Sequence, residues 1–324
     1  MRLPKELLPV IQHEIEKIDR RRLLQATAQI TERYQNADFS APALRTDAHR
    51  AAYLAVRLPA TYAANAHVFA EIQRLIPDAE ISSMLDLGAG PGTALFAAAE
   101  IFPALQQATL LDADESWLSL GKLLAGQSPS AAARQVLWLR HDLCSGLSCK
   151  THDLVVLSYA LGELPQAAVE AMVHQAWSCA GKFLAIIEPG TKRGFAAVNA
   201  VRSAMIAAGA EILAPCPHKD ACPMHAAGDW CHFSARLERT SQHRQLKGGV
   251  LGYEDEKFSY VVAGRQHFPS FDARIVRHPQ KHGGHIQLTL CTSQGSIKLQ
   301  TITKSNKKDY KLARQSEWGD TWKE

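Results

Sequence analysis

The stretch Met84-Leu85-Asp86-Leu87-Gly88-Ala89-Gly90-Pro91-Gly92-Thr93 limits what this chain can become more than any other. An apolar run carrying one acid enters a turn rich in glycine, and the alanine-rich residues 94–99 follow with helical character. A strand that turns tightly into a helix is the opening unit of a nucleotide-binding α/β sheet. Glycine gives such a turn its positive φ angles and lets backbone approach a ligand without an intervening Cβ. The start of the helix adds N–H groups that have no partner within the helix.

Spacing chooses among ligands. Dinucleotide folds use G-x-G-x-x-G, whose last glycine lets helix pack on strand. Here the third glycine comes one residue early, at Gly92, and Thr93 takes the later slot. The pattern Asp86, Gly88, Gly90, Gly92 resembles motif I of class I S-adenosylmethionine methyltransferases. That resemblance implies a loop holding the methionine part of the cofactor. The same glycines also suit a turn that merely tightens a strand–helix corner, so the residues downstream matter. Residues 108–111 read as a short strand ending in Asp112, where a carboxylate can accept both ribose hydroxyls. Asp114 competes for that role, and either acid suits a helix N-cap. Residues 135–139 read as a third strand ending near Asp142, and an acid there in the methyltransferases faces the adenine amino group. Residues 153–158, closing on Ser158, and 183–188 complete five ordered strand signals. Strands alternating with helical spans predict an α/β fold, a Rossmann-like class I methyltransferase sheet wound on both faces.

The flanks read differently. Residues 1–75 are expected to form an N-terminal helical cap, with Leu7, Leu8, Ile11, Ile15 and Ile18 as one apolar stripe. Arg20-Arg21-Arg22 suits the end of that helix. A loop through Asn36, Asp38, Ser40 and Pro42 follows, then a helical span over 51–75 interrupted at Pro59. The sheet domain covers 76–265 and includes a cysteine-rich insert, 214–233. Residues 266–324 are a basic β extension. After the fourth strand, many amino-group methyltransferases carry an Asn/Asp-Pro-Pro-aromatic tetrapeptide. This chain has Ser158-Tyr159-Ala160-Leu161-Gly162-Glu163 instead. Tyr159 can stack on a base and Glu163 can accept a proton, which makes them the catalytic candidates. Equally, Tyr159 suits core packing and Glu163 a helix cap.

The insert holds Cys216, Cys222 and Cys231, with Cys291 sixty residues further on. Four thiolates can hold zinc or an iron–sulfur cluster. Structural zinc prefers closer cysteine pairs than these, whereas Cys-Pro occurs in ferredoxin-type ligand runs. His218, His225 and His232 keep a Cys3His zinc site open, and reduced cysteines without metal are the third reading. Cys144, Cys149 and Cys179 read as ordinary thiols. No secretory h-region or run of eighteen apolar residues is present, which predicts no membrane span, a cytoplasmic protein and no disulfides.

Charge is uneven. Residues 232–324 carry 16 Lys and Arg against 9 Asp and Glu, while residues 1–231 carry 20 against 23. Such asymmetry suggests a polyanionic partner for one end. Arg236, Arg239, Arg244, Lys247, Arg274, Arg277, Lys304, Lys307 and Lys308 are expected to form a phosphate-facing surface. Short strands are expected at 274–278 and 300–304, with a polar turn at 305–309.

Four stretches together carry a resemblance to a known family. They are the glycine turn, the Cys-Pro-His…Cys-Pro…Trp-Cys-His-Phe run, Glu256-Lys257-Phe258-Ser259-Tyr260, and the terminal Trp318-Gly319-Asp320. The chain resembles the ribosomal small-subunit methyltransferase-like family of bacteria and mitochondria. The resemblance implies S-adenosylmethionine as cofactor and a four-iron, four-sulfur cluster on Cys216, Cys222, Cys231 and Cys291. It implies the small ribosomal subunit, with its 16S-type rRNA, as partner. Whether such a protein transfers methyl groups to rRNA or only helps assemble the subunit is left open by the missing tetrapeptide.

Overall fold

Parallel pairing joins β1 (Ser83–Leu87), β2 (Gln107–Asp112), β3 (Leu137–Arg140), β4 (His152–Ser158) and β5 (Ala180–Pro189) in the order 3-2-1-4-5. The computed structural model describes residues 1–36 and 46–323. The loop expected through Asp38, Ser40 and Pro42 lies outside the described residues. Side chains alternate across each strand. Met84, Leu154, Val156, Phe183, Ala185 and Ile187 enter one core, and their neighbours Leu85, Val155, Leu157, Leu184 and Ile186 enter another. Both faces are therefore covered, as parallel strands require. One core also takes the N-terminal helices. The other takes the helices Gln166–Cys179 and Lys192–Ala207 through Met172, Val173, Val198, Val201 and Met205.

Three more strands extend this sheet: β6 (Glu211–Ala214), β7 (Phe233–Glu238) and the long β8 (Tyr253–Gly264). β8 runs antiparallel to β5, with Phe183 opposite Gly264 and Pro189 opposite Phe258. Its other edge takes β6 at one end and β7 at the other, so the cysteine-bearing residues 215–232 leave and rejoin the same strand.

The N-terminal helices are α1 (Leu8–Glu16), α2 (Arg20–Asn36), α3 (Asp47–Ala52) and α4 (Leu58–Leu75). Leu7, Ile11 and Ile15 of the expected stripe are buried, while Leu8 is exposed. Arg20–22 open α2 rather than close α1, because Asp19 accepts the Arg22 N–H (3.0 Å) and so starts a new helix. A π-helical turn, Tyr53–Arg57, runs into α4, and Pro59 sits in the first turn of α4, where its missing N–H is tolerated.

The C-terminal residues form a second sheet of β9 (Ala273–Ile275), β10 (Gln280–Lys281), β11 (His285–Thr292), β12 (Ile297–Thr303) and β13 (Thr321–Trp322). Its own small core contains Ile275, Ile286, Leu288, Leu290, Ile302 and Trp322. The polar turn expected at 305–309 ends early. Asn306 accepts the Asp309 N–H (3.2 Å) and caps the helix Lys307–Gln315, whose Ala313 enters this core. Cys149 and Cys179 form a disulfide, which corrects the expectation of unpaired thiols. The β4–β5 register sets His152 against Ala180 and thereby brings the two cysteines together. Among the described residues, no helix is long and apolar enough to cross a membrane.

Candidate functional site: a cofactor cavity and a cysteine cluster

The sheet reverses direction at β1, between β2 and β4, and ligands of such sheets bind beyond the carboxyl ends of the strands at that point. A cavity of about 1150 Å3 opens there. Asp86, Gly88, Gly90, Asp112, Asp142 and Ser158 line it, as do Tyr159 and Glu163. Gly92 does not. With φ at +83°, a Cβ on Gly92 would fall 2.7 Å from the Trp138 ring, so this glycine serves helix-on-strand packing. A Cβ on Gly90, at φ +53°, would meet nothing within 4 Å, so the space beside it is open.

Asp86 interrupts the apolar run of β1 and is 1% exposed. Burial, and then the nearby Asp112, pushes its carboxyl up to about 8. Its Oδ2 has no hydrogen-bond partner among the described residues. Asp112 accepts the N–H groups of Gly90 (2.8 Å) and Asp114 (2.9 Å). Asp114 caps the helix Glu115–Gly126 by accepting the Ser116 N–H (2.8 Å). Asp142 caps a short turn by accepting the Cys144 N–H (2.9 Å) while still lining the cavity. Asn65 of α4, absent from the sequence reading, donates to Ser158 Oγ (2.9 Å).

Tyr159 is buried and takes a positive φ of 59°. Its hydroxyl donates to Glu256 Oε1 (3.0 Å). Glu256 is also gripped by both terminal nitrogens of Arg57 (3.1 and 2.9 Å), and the Arg57 guanidinium lies 4.2 Å over the Tyr34 ring. The Tyr159 ring therefore walls the cavity while its hydroxyl belongs to a buried network reaching β8. Glu163 is half exposed, 3.8 Å from Arg33.

Three of the cysteines lie in the segment between β6 and β7, at the far edge of β8, and Cys291 lies on β11. Burial raises the Cys231 thiol well above the ordinary range, and Cys216, Cys222 and Cys291 each add to that. Burial pushes Cys291 up to about 12, with Cys216 and Cys222 contributing. The four thiols thus share one electrostatic neighbourhood. Ser259 Oγ holds the Cys231 carbonyl (2.8 Å), and Trp230 Nε1 holds the Gly190 carbonyl (3.0 Å). His218 Nε2 lies 3.4 Å from Cys291 Sγ. Among the described residues, no group of three or more His, Cys, Asp or Glu is arranged to hold a metal ion.

The expected phosphate-facing surface needs correction. Arg274 is fully buried, bound to Glu71 (2.5 Å) and to the carbonyls of Pro215 (2.8 Å) and Gly319 (2.7 Å). Arg236 pairs with Asp255, Arg239 and Lys247 with Glu254, and Arg277 with Asp229. These acids lie close in space, and a count along the sequence could not pair them. Arg244, Lys304, Lys307 and Lys308 remain exposed.

Strand order, glycine turn and cavity define a Rossmann-like class I methyltransferase fold. A magnesium protoporphyrin IX methyltransferase from Synechocystis, solved with S-adenosylhomocysteine, matches at TM-score 0.42 and 12% identity, over 74% of this chain and 96% of that one. A putative RNA methyltransferase from Pyrococcus horikoshii matches at 0.41 and 11%, over 62% and 81%. The chain belongs to the family described as mitochondrial small ribosomal subunit Rsm22, whose profile matches residues 47–323. The human mitochondrial ribosome assembly protein METTL17 is 28% identical over 83% of this chain. An Rsm22-cox11 tandem protein of Schizosaccharomyces pombe, also mitochondrial, is 25% identical over 85%. The matches cover 61% and 43% of those two proteins, so the chain spans only part of their length. Both relatives are mitochondrial, which overturns the cytoplasmic expectation drawn from the N-terminal residues.

Proposed function

We propose that this chain is an S-adenosylmethionine-binding, methyltransferase-like protein that grips the rRNA of the small ribosomal subunit during its assembly. The observation that carries the cofactor reading is Asp86, a buried carboxylate with an unpartnered oxygen at the wall of a glycine-floored cavity. Without a cation that carboxyl keeps its proton up to about pH 8, and the cofactor's methionine ammonium would be the partner that lets it ionise. Asp112 would accept the ribose hydroxyls, Asp142 would face the adenine amino group, and Gly88 and Gly90 would let backbone close on the ligand. When bound, the cofactor supplies a methyl group activated by its sulfonium. Calorimetric titration with S-adenosylmethionine tests this reading. Saturable binding that weakens at least tenfold in Asp86→Asn is expected, and no binding by the unaltered protein would refute it.

The names of the relatives support the ribosomal partner, and the exposed Arg244, Lys304, Lys307 and Lys308 suit a phosphate backbone. On the same reading, Cys216, Cys222, Cys231 and Cys291 hold a four-iron, four-sulfur cluster, with zinc as the alternative. Four soft thiols are the ligand chemistry that either metal centre takes. The metal would tie β11 to the cysteine insert, so its binding free energy would be folding free energy for that arrangement. Anaerobic purification with iron, sulfide and zinc counted distinguishes the two.

An active rRNA methyltransferase is the second reading, and the size of the cavity favours it. About 1150 Å3 exceeds the roughly 300–1000 Å3 of a single-ligand pocket and leaves room for an acceptor. The Tyr159 ring would then wall the acceptor side, and Glu163 at the mouth would take its proton. Labelled methyl transfer to small-subunit precursor particles, lost in Glu163→Gln, is the expected result. Transfer that is undiminished in that variant would remove Glu163 from the site.

A further inference from the structure

Arg57, Arg202 and Arg274 are the buried arginines of the described residues. Two of them answer to an acid: Arg57 to Glu256 and Arg274 to Glu71. Arg202, on the helix Lys192–Ala207, is 4% exposed and has no carboxylate within 4.0 Å among the described residues. Its Nη2 donates to the His218 carbonyl (2.7 Å), and its Nε has no hydrogen-bond partner there. A buried guanidinium left in that state is expensive unless an anion stands near. The bond to His218 sets it against the cysteine-bearing segment, two residues from Cys216.

We infer that Arg202 and His218 form a second layer around the four cysteines, Arg202 as a fixed counter-cation and His218 as the N–H donor to the Cys291 sulfur. This inference rests on the reading of the four cysteines as a metal site. Four thiolates on a doubly charged metal centre retain net negative charge, and a buried arginine balances it. His218 links the parts. Its carbonyl is fixed by Arg202 and its ring nitrogen lies 3.4 Å from Cys291 Sγ. The layer therefore latches β11 to the insert while stabilising the deprotonated sulfurs. Donors to cluster sulfurs and local charge are among the factors that set cluster potential. Partners in the outer shell govern how firmly a metal is held.

The test uses the full chain, purified anaerobically, with Arg202→Met, Arg202→Lys and His218→Ala. It reads metal content, the rate of metal loss to a chelator and, for an iron-loaded protein, the midpoint potential of the cluster. Arg202→Met and His218→Ala are expected to lose metal roughly 10- to 100-fold faster, with Arg202→Lys close to the unaltered protein. Removing positive charge or a hydrogen-bond donor favours the oxidised cluster, so both potentials should move negative. A residue that only holds the fold would alter melting without moving the potential. Should Arg202→Met not fold, His218→Ala decides. Release rates and potentials unchanged in a metal-loaded His218→Ala and Arg202→Met would overturn this inference alone. An unaltered protein that holds no metal would overturn the cysteine reading and this one together.

Discussion

The cofactor cavity and the cysteine neighbourhood lie on opposite flanks of β5 and β8 in the strand order, and the ionisable groups they bury are of opposite kind. The cavity buries an acid, Asp86, with an oxygen left over. The cysteine region buries a cation, Arg202, with no acid beside it among the described residues. Each site thus carries the complement of what it would bind, a cationic methionine in one and a thiolate–metal centre in the other. Their construction differs as well. The cavity floor comes from one contiguous motif and the next two strand ends. The thiols come from a loop and from a second sheet sixty residues away.

The largest effect is expected where the second sheet is fastened. Arg274→Met leaves Glu71 buried without its deeper partner and frees the Pro215 and Gly319 carbonyls. Breaking such a buried pair costs about 3–5 kcal/mol, to be read by chemical denaturation. A loss below about 1 kcal/mol would mean that the two sheets are held by something else. On the cavity side, a pH series isolates Asp86. Its folded carboxyl is raised to about 8 from 3.8. Between those values the unfolded chain gives up a proton that the folded protein keeps. Stability of the cofactor-free protein should therefore fall as pH rises through that window and level off above it. Glu188, buried and also raised to about 8, adds the same sign. Asp86→Asn is expected to reduce the slope by about 1.4 kcal/mol per pH unit near pH 6. An unchanged slope would remove the buried acid from one side of the comparison.

Two glycines sharpen it further. Gly92→Ala drives a Cβ into Trp138 at a positive φ and should destabilise by about 1–3 kcal/mol. Gly90→Ala meets no neighbour and should lose only about 1 kcal/mol, yet bind S-adenosylmethionine poorly. Equal losses of stability and equal binding in the two variants would dissolve the distinction between packing glycine and ligand glycine. The smallest effect on stability is expected at the exposed lysines. Lys307→Gln with Lys308→Gln should leave melting within about 0.5 kcal/mol of the original. The same pair should flatten the salt dependence of rRNA binding by about two phosphate contacts.

What could be read from the sequence follows from the same contrast. The glycine turn, the ordered strands and the acids at their ends are local patterns, and alternation along β1, β4 and β5 carried them into the sheet unchanged. The Arg57–Glu256–Tyr159 network is not local, since its ion pair joins residues 199 apart. Its only trace was the Glu256–Tyr260 block. Arg274 sits in a basic segment and so looked like surface, but Glu71 and two carbonyls draw it inside. Arg202 carried no signal at all, because an arginine in a helix of mixed composition is ordinarily solvated. The Asn306 cap was visible as a polar residue, and the helix behind it was hidden by its lysines.

β8 behaves as a rail with two fittings on one side. Because β6 and β7 both clip to that rail, the segment between them is closed at its two ends by one strand, while Arg274 and Arg277 moor it to the second sheet. A segment wired this way is a pin between the two sheets, and its loss should free the second sheet before it disturbs the first.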